Sequence, residues 1–142
     1  MSRTKLDLPE QFHFHTNIPI RITDLNYGGH VGNDAVLSLL HEARMQFLKH
    51  YHFSEMNFAG VGLIMSDVSI EFKNELFYED DLKAYVAIKD MSKVGFSIYY
   101  KLVKNSEETV VAFAKTGMVC YDYQSKKIAA FPQKAREVLE EI

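Results

Sequence analysis

The chain has 142 residues, 47% hydrophobic, 13% aromatic and 25% charged, the profile of one soluble globular domain, 1–142, with a sizeable core. A formal net charge of -3 excludes the broad basic field on which non-specific nucleic-acid binding relies. No run approaches the roughly 20 apolar residues that span a bilayer, and the N-terminal stretch has no secretory-type apolar segment, so no membrane partner and a cytoplasmic location are expected.

In chain order, Phe12, Phe14, Ile18, Ile20 and Ile22 recur at even positions, opposite His13, His15, Asn17 and Arg21, which predicts a first strand. Asp24 continues the inner parity, so an extended chain delivers a carboxylate to the edge of the core. Pro19, with no N–H for a ladder, marks an edge position or a bulge. The passage DLNYGGHVGND, 24–34, follows with two carboxylates, two amides, a histidine and three glycines. Val36, Leu39, Leu40, Ala43, Phe47 and Tyr51 then fall at helical spacing. They predict a helix from Asn33 to about His50, with Asn33 as N-cap and Asp34 facing the positive end of the helix dipole.

After a loop at HFSEMNFAG, four segments alternate in strand fashion around 67–72, 82–88, 94–102 and 109–121. The turns DMSKVG and KNSEE are short enough for hairpins, which predicts an antiparallel meander. Pro132 lies near the start of QKAREVLEEI, a short amphipathic helix. One long helix with a single antiparallel sheet to bury it is an α+β arrangement. Cys120 is the only cysteine, which excludes an internal disulfide, and its place in GMVCYDY reads as a buried strand residue. The pairs His13 with His15 and His50 with His52 lack further ligands, so no metal is expected. No Lys-Ser/Thr follows the glycines, which removes nucleotide hydrolysis.

With this element order, the stretch 24–44 resembles the signature of the hot-dog fold acyl-CoA thioesterases, the branch that includes 4-hydroxybenzoyl-CoA thioesterase. That family carries D-x-D-x-x-G-H-V-N-N at the mouth of its central helix, often with E-A-R inside the helix. Here the residues read Asp24, Leu25, Asn26, Tyr27, Gly28, Gly29, His30, Val31, Gly32 and Asn33, then Glu42, Ala43 and Arg44. The resemblance implies a hot-dog fold, a five-stranded antiparallel sheet wrapped around one long central helix, with a short C-terminal helix. It also implies hydrolysis of acyl-CoA or acyl carrier protein thioesters, no cofactor beyond the coenzyme A of the substrate, and a homodimer or homotetramer. This chain departs from the pattern at Asn26, where the family has its catalytic carboxylate, and at Gly32, where it has the first Asn of the pair.

Thioester hydrolysis needs an activated water or a carboxylate nucleophile, with donors at the carbonyl oxygen. By position and by resemblance, Gly29, His30 and Val31 are candidates for the carbonyl-binding backbone, and Asn33 and Asp67 join the substrate-binding set. Asn26 can hold a water through its amide but cannot take the proton. The basicity is therefore expected from Asp24 first and Glu42 next, with Asp67 and His30 as further candidates. Structural roles stand beside these: Asp24 and Asn26 as turn formers, Glu42 as a solvated helix residue. Two other functions fit part of the pattern. A non-catalytic acyl-CoA-binding or regulatory module accommodates Asn26, whereas an enoyl-CoA hydratase, D-x-N-P-x-H, matches Asp24 and Asn26 but not Tyr27 or the spacing of His30. Phe58, Met65, Tyr99 and Met118 are candidates for an acyl pocket or for plain core.

Overall fold

A computed structural model describes residues 5–106 and 109–142. Its elements are β1 (Phe14–Ile18), α1 (Asn33–His50), β2 (Gly62–Phe72), β3 (Leu82–Lys89), β4 (Gly95–Lys104), β5 (Thr109–Asp122), β6 (Lys127–Ile128) and α2 (Gln133–Glu140). The five long strands form one antiparallel sheet in the order β1-β3-β4-β5-β2, curled around α1, as the hot-dog resemblance implies. A two-residue β6 pairs with the C-terminal end of β5, beyond the five strands expected.

The strand readings hold for β3, β4 and β5, which follow one another as hairpins. Glu107 and Glu108, at the end of the predicted KNSEE turn, lie outside the described residues. The meander does not extend to β2, which pairs with β5 at the far edge and not with β3. The segment between β2 and β3 crosses the end of the sheet instead. Lys73 and Asn74 donate their amides to the Val111 carbonyl, Leu76 inserts into the core, and Phe77 bridges to His30. This strap brings 76–77 alongside the residues that precede α1.

The first strand is shorter than its apolar alternation. It ends at Ile18, and after Pro19 the chain turns through a 3-10 segment at Ile22–Asp24, leaving Ile22 67% exposed. Pro19 removes a ladder donor at the point where the strand stops. β1 is an edge strand, the position Pro19 indicated.

Helix α1 buries Val36, Leu39, Leu40, Ala43, Phe47 and Leu48 against the concave side of the sheet. Its first helical bond runs from the Val36 amide to the Gly32 carbonyl at 3.2 Å, so Gly32, not Asn33, is the N-cap. At the other end, Phe58, Phe96 and Phe131 meet at centroid distances of 5.5 to 5.6 Å, beside Ala135 and Leu139 of α2. Of the candidate acyl-pocket residues, Phe58, Tyr99 and Met118 are buried, while Met65 lies exposed on β2.

One charged group is buried with the helix. Arg44 Nε donates to Glu55 Oε2 at 3.3 Å and Nη1 donates to the Tyr100 hydroxyl at 3.2 Å, which in turn meets Thr116 Oγ1 at 2.7 Å. His41 Nε2 reaches the other Glu55 oxygen at 2.6 Å. The arginine of E-A-R thus ties α1 to β4, to β5 and to the loop after the helix. Burial pushes the Tyr100 phenol above its ordinary range.

Candidate active site

The residues before α1 form two nested turns. The first is closed by Asp24, whose carboxylate accepts the Arg21 amide at 2.8 Å and Arg21 Nη2 at 3.3 Å. Its carbonyl accepts the Gly32 amide at 3.3 Å. Asp24 is only 4% exposed, and each of its oxygens holds part of Arg21. It does not end an extended strand, as its parity predicted, because the reciprocal bonds with Arg21 are those of a capped turn.

The second turn is built on Asn26. Its amide donates to the His30 carbonyl at 2.9 Å, its carbonyl accepts the Gly29 amide at 3.1 Å, and Leu25 bridges Val31 across the base. Gly29 sits at φ 79, a left-handed conformation that glycine adopts without cost. Asn26 Oδ1 accepts the Gly28 amide at 2.9 Å. Because an N–H must meet an oxygen, this bond fixes the side-chain amide with Nδ2 as the free donor end. Tyr27, at the tip, is fully exposed.

Between this turn and the first turn of α1 lies an open hollow of about 390 Å³, lined by Asp24, Asn26, Tyr27, Gly32, Asp34 and Ala35 among others. Gly32 lets Asp34 and Asn26 approach each other closely. A Cβ there would stand 2.6 Å from Asp34 Oδ1, 3.7 Å from Asn26 Cβ and 3.8 Å from Asn26 Nδ2. The amides of Asn33, Asp34 and Ala35, the first three of α1, have no intrahelical carbonyl to bond and carry the positive end of the helix dipole.

The other candidate residues are distributed around this hollow. The Gly29 and Val31 amides are already donated, to Asn26 and to the Leu76 carbonyl at 2.7 Å. Among the described residues, the His30 amide between them donates to no backbone carbonyl, and neither do the amides at the helix start. His30 is half-buried, its Nδ1 3.2 Å from the Val31 carbonyl and its ring edge-on to Phe77 at 6.3 Å. Asn33 faces a separate hollow of about 210 Å³ with Lys73, Asn74 and Glu75. Glu42 is exposed, accepts from Gln46 Nε2 at 2.7 Å, and borders a groove of about 310 Å³ with Arg21, Ser38 and His41. Asp67 lies at a bulge of β2 and accepts from Ser66 Oγ at 2.9 Å.

The structure thus brings Asp24 and Asn26 to one hollow and leaves Glu42 and Asp67 on other surfaces. It adds Asp34, which sequence reasoning assigned only to the helix dipole. The signal for it was Gly32, two residues earlier, since a glycine beside a helix-start carboxylate leaves space in front of it. Among the described residues, no group of three His, Cys, Asp or Glu is placed to hold a metal ion. Cys120 is buried on β5, and burial pushes its thiol up to about 11.

Compared with known proteins, the chain is 24% identical over 119 residues to the acyl-CoA thioester hydrolase YbgC of Escherichia coli, covering 81% of this chain and 88% of that one. The 1,4-dihydroxy-2-naphthoyl-CoA thioesterase Slr0204 of Synechocystis has a similar structure, with a TM-score of 0.82 and 23% identity over 91% of this chain and 96% of that one. A thioesterase of Thermus thermophilus solved with coenzyme A and zinc gives a TM-score of 0.77 at 18% identity, covering 91% and 98%. These two likenesses are likenesses of fold. The model of the thioesterase-like superfamily matches residues 20–139, a span that runs from the turn before the hollow through α2, and the chain belongs to that superfamily.

Proposed function

We propose that the protein is a hydrolase of acyl-CoA thioesters, acting at the hollow in front of α1. The observation that carries this reading is the juxtaposition, around one hollow, of Asn26, Gly32 and the free first amides of the helix, in a member of the thioesterase-like superfamily. Amides at a helix start stabilise the negative charge that grows on a thioester carbonyl oxygen under attack. Asn26 holds and orients the attacking water through Nδ2. Asp24 sets the turn through Arg21, and Gly29, His30 and Val31 shape its wall, with His30 locked against the strap. Asn33 and the lysine beside it, Lys73, line the separate hollow on the other side of the helix start and offer a second contact to an extended substrate. Glu42 and Asp67 reach substrate only through its distal parts. Coenzyme A enters as part of the substrate, and no cofactor takes part. The names of YbgC and Slr0204 support the CoA thioester as the substrate class. An acyl carrier protein thioester presents the same pantetheine arm and is the second substrate form to examine.

The whole chain, 1–142, acts as one domain and works as a homodimer or as a homotetramer built from it. β2 supports this: it is an 11-residue strand at the edge of the sheet, with Met65, Val68 and Phe72 36 to 46% exposed. A long edge of this kind has unpaired backbone groups that a second copy satisfies by two-fold pairing. Action in the cytoplasm is part of this reading; among the described residues, no helix is long and apolar enough to cross a membrane.

The test is a thiol-release assay over a panel of acyl-CoAs. Release of free coenzyme A is expected, and Cys120 does not compete for the thiol reagent because it is buried. Tight acyl-CoA binding with no release over hours favours the binding or regulatory module instead. Loss of crotonyl-CoA double-bond absorbance with the thioester intact favours the enoyl-CoA hydratase.

A further inference from the structure

The expected carboxylate position is occupied by Asn26, and Asp24 has both oxygens on Arg21, so the hollow needs a base from elsewhere. One carboxylate meets that need. Asp34 Oδ1 and Asn26 Nδ2 both lie within 4 Å of the same point, the place a Cβ on Gly32 would occupy. With glycine at this position, no side-chain atom stands between the two groups. Asp34 is exposed and lines the same hollow as Asn26. Its position is fixed by the first turn of an 18-residue helix, not by a loose loop.

Resting on the hydrolytic reading above, we propose that Asp34 is the general base of the reaction and that Asn26 and Asp34 form a split water site across Gly32. Asn26 Nδ2 donates to the water oxygen, and Asp34 Oδ1 accepts one of its hydrogens. In the reaction, the water proton passes to Asp34 as the water oxygen bonds to the thioester carbon, and the carbonyl electron pair moves to its oxygen. That pair then re-forms the C=O bond, the C–S bond breaks, and the proton on Asp34 passes to the departing sulfur. The products are one carboxylic acid and one thiol, and Asp34 is regenerated. The carboxylate and the amide divide between two residues the work that a single carboxylate at the Asn26 position does in the pattern this chain departs from.

The experiment uses the full-length protein and the acyl-CoA it cleaves fastest. Asp34→Asn is expected to lower kcat by about 100-fold or more, the usual size of a general-base contribution, with little change in KM and in thermal midpoint. Adding Asn26→Asp to Asp34→Asn is expected to restore about tenfold or more of the loss, because a carboxylate returns to the opposite side of the same gap. A folded Asp34→Asn protein that keeps near-full kcat overturns the role of Asp34 while leaving hydrolysis intact. Failure of Asn26→Asp to restore any turnover in the Asp34→Asn background overturns the split site. Absence of thiol release by the unaltered protein is a different result, because it overturns the hydrolytic reading itself and the role of Asp34 with it.

Discussion

Gly32 and Gly29 make different demands on the chain, and substitution separates them. Gly29 needs its left-handed φ, with nothing within 4 Å of a Cβ, so Gly29→Ala strains the turn without a clash. It is expected to cost about 1 to 2 kcal/mol, read as a lower denaturant midpoint. Gly32 needs its empty space. Gly32→Ala places a methyl group 2.6 Å from Asp34 Oδ1 and pushes the carboxylate away, so kcat falls about tenfold or more while most of the stability remains. Equal turnover in Gly32→Ala and the unaltered protein argues against that space being used. Cys120 gives a pH test. Its thiol titrates near 11 when folded, against 9.0 for the unburied group, so the folded state holds the proton more tightly. The stability this burial contributes is complete below about 9 and is lost as pH rises towards about 11. A thermal midpoint that climbs across that interval contradicts the burial. At this scale DLNYGGHVGND stands out in the sequence by its glycines and amides, and its resemblance to the thioesterase signature supplies the expected chemistry. It misjudged Asp24, because alternation assumes an extended chain, whereas the bonds between Asp24 and Arg21 close a turn.

Among the elements, α1 is the one whose sequence pattern and structure agree most closely. Its stripe from Val36 to Phe47 is the face that the sheet covers, and only the cap moved, from Asn33 to Gly32. The buried Arg44 network was invisible in the periodicity, because Arg44 sits inside the apolar stripe and looks like an interruption of it. Arg44→Ala leaves Glu55 and the Tyr100 hydroxyl without their charged partner, and is expected to destabilise the protein by about 3 kcal/mol. An unchanged denaturant midpoint contradicts that assignment. The strands were legible one by one from alternation, but their order was not. Short turns predict hairpins correctly for β3, β4 and β5. The strap after β2 carries the chain across to the opposite side of the sheet, and its anchors at Val111, Leu76 and His30 are long-range contacts with no local signature.

For the whole molecule, the curled sheet leaves β2 as a long edge with Met65, Val68 and Phe72 exposed, and the hollow before α1 opens beside Asn26. Light scattering is expected to give at least twice the 16.4 kDa chain mass, and Val68→Lys to shift the population towards monomer by placing a charge on the edge strand. A stable monomer of the unaltered protein removes the dimer from the account. Water addition to a thioester carbon is read out by turnover in heavy-oxygen water. Mass spectrometry is expected to find free coenzyme A and a released acid carrying one heavy oxygen in its carboxyl group. An intact thioester bearing the label on its acyl chain, or no conversion of any acyl-CoA offered, would contradict it.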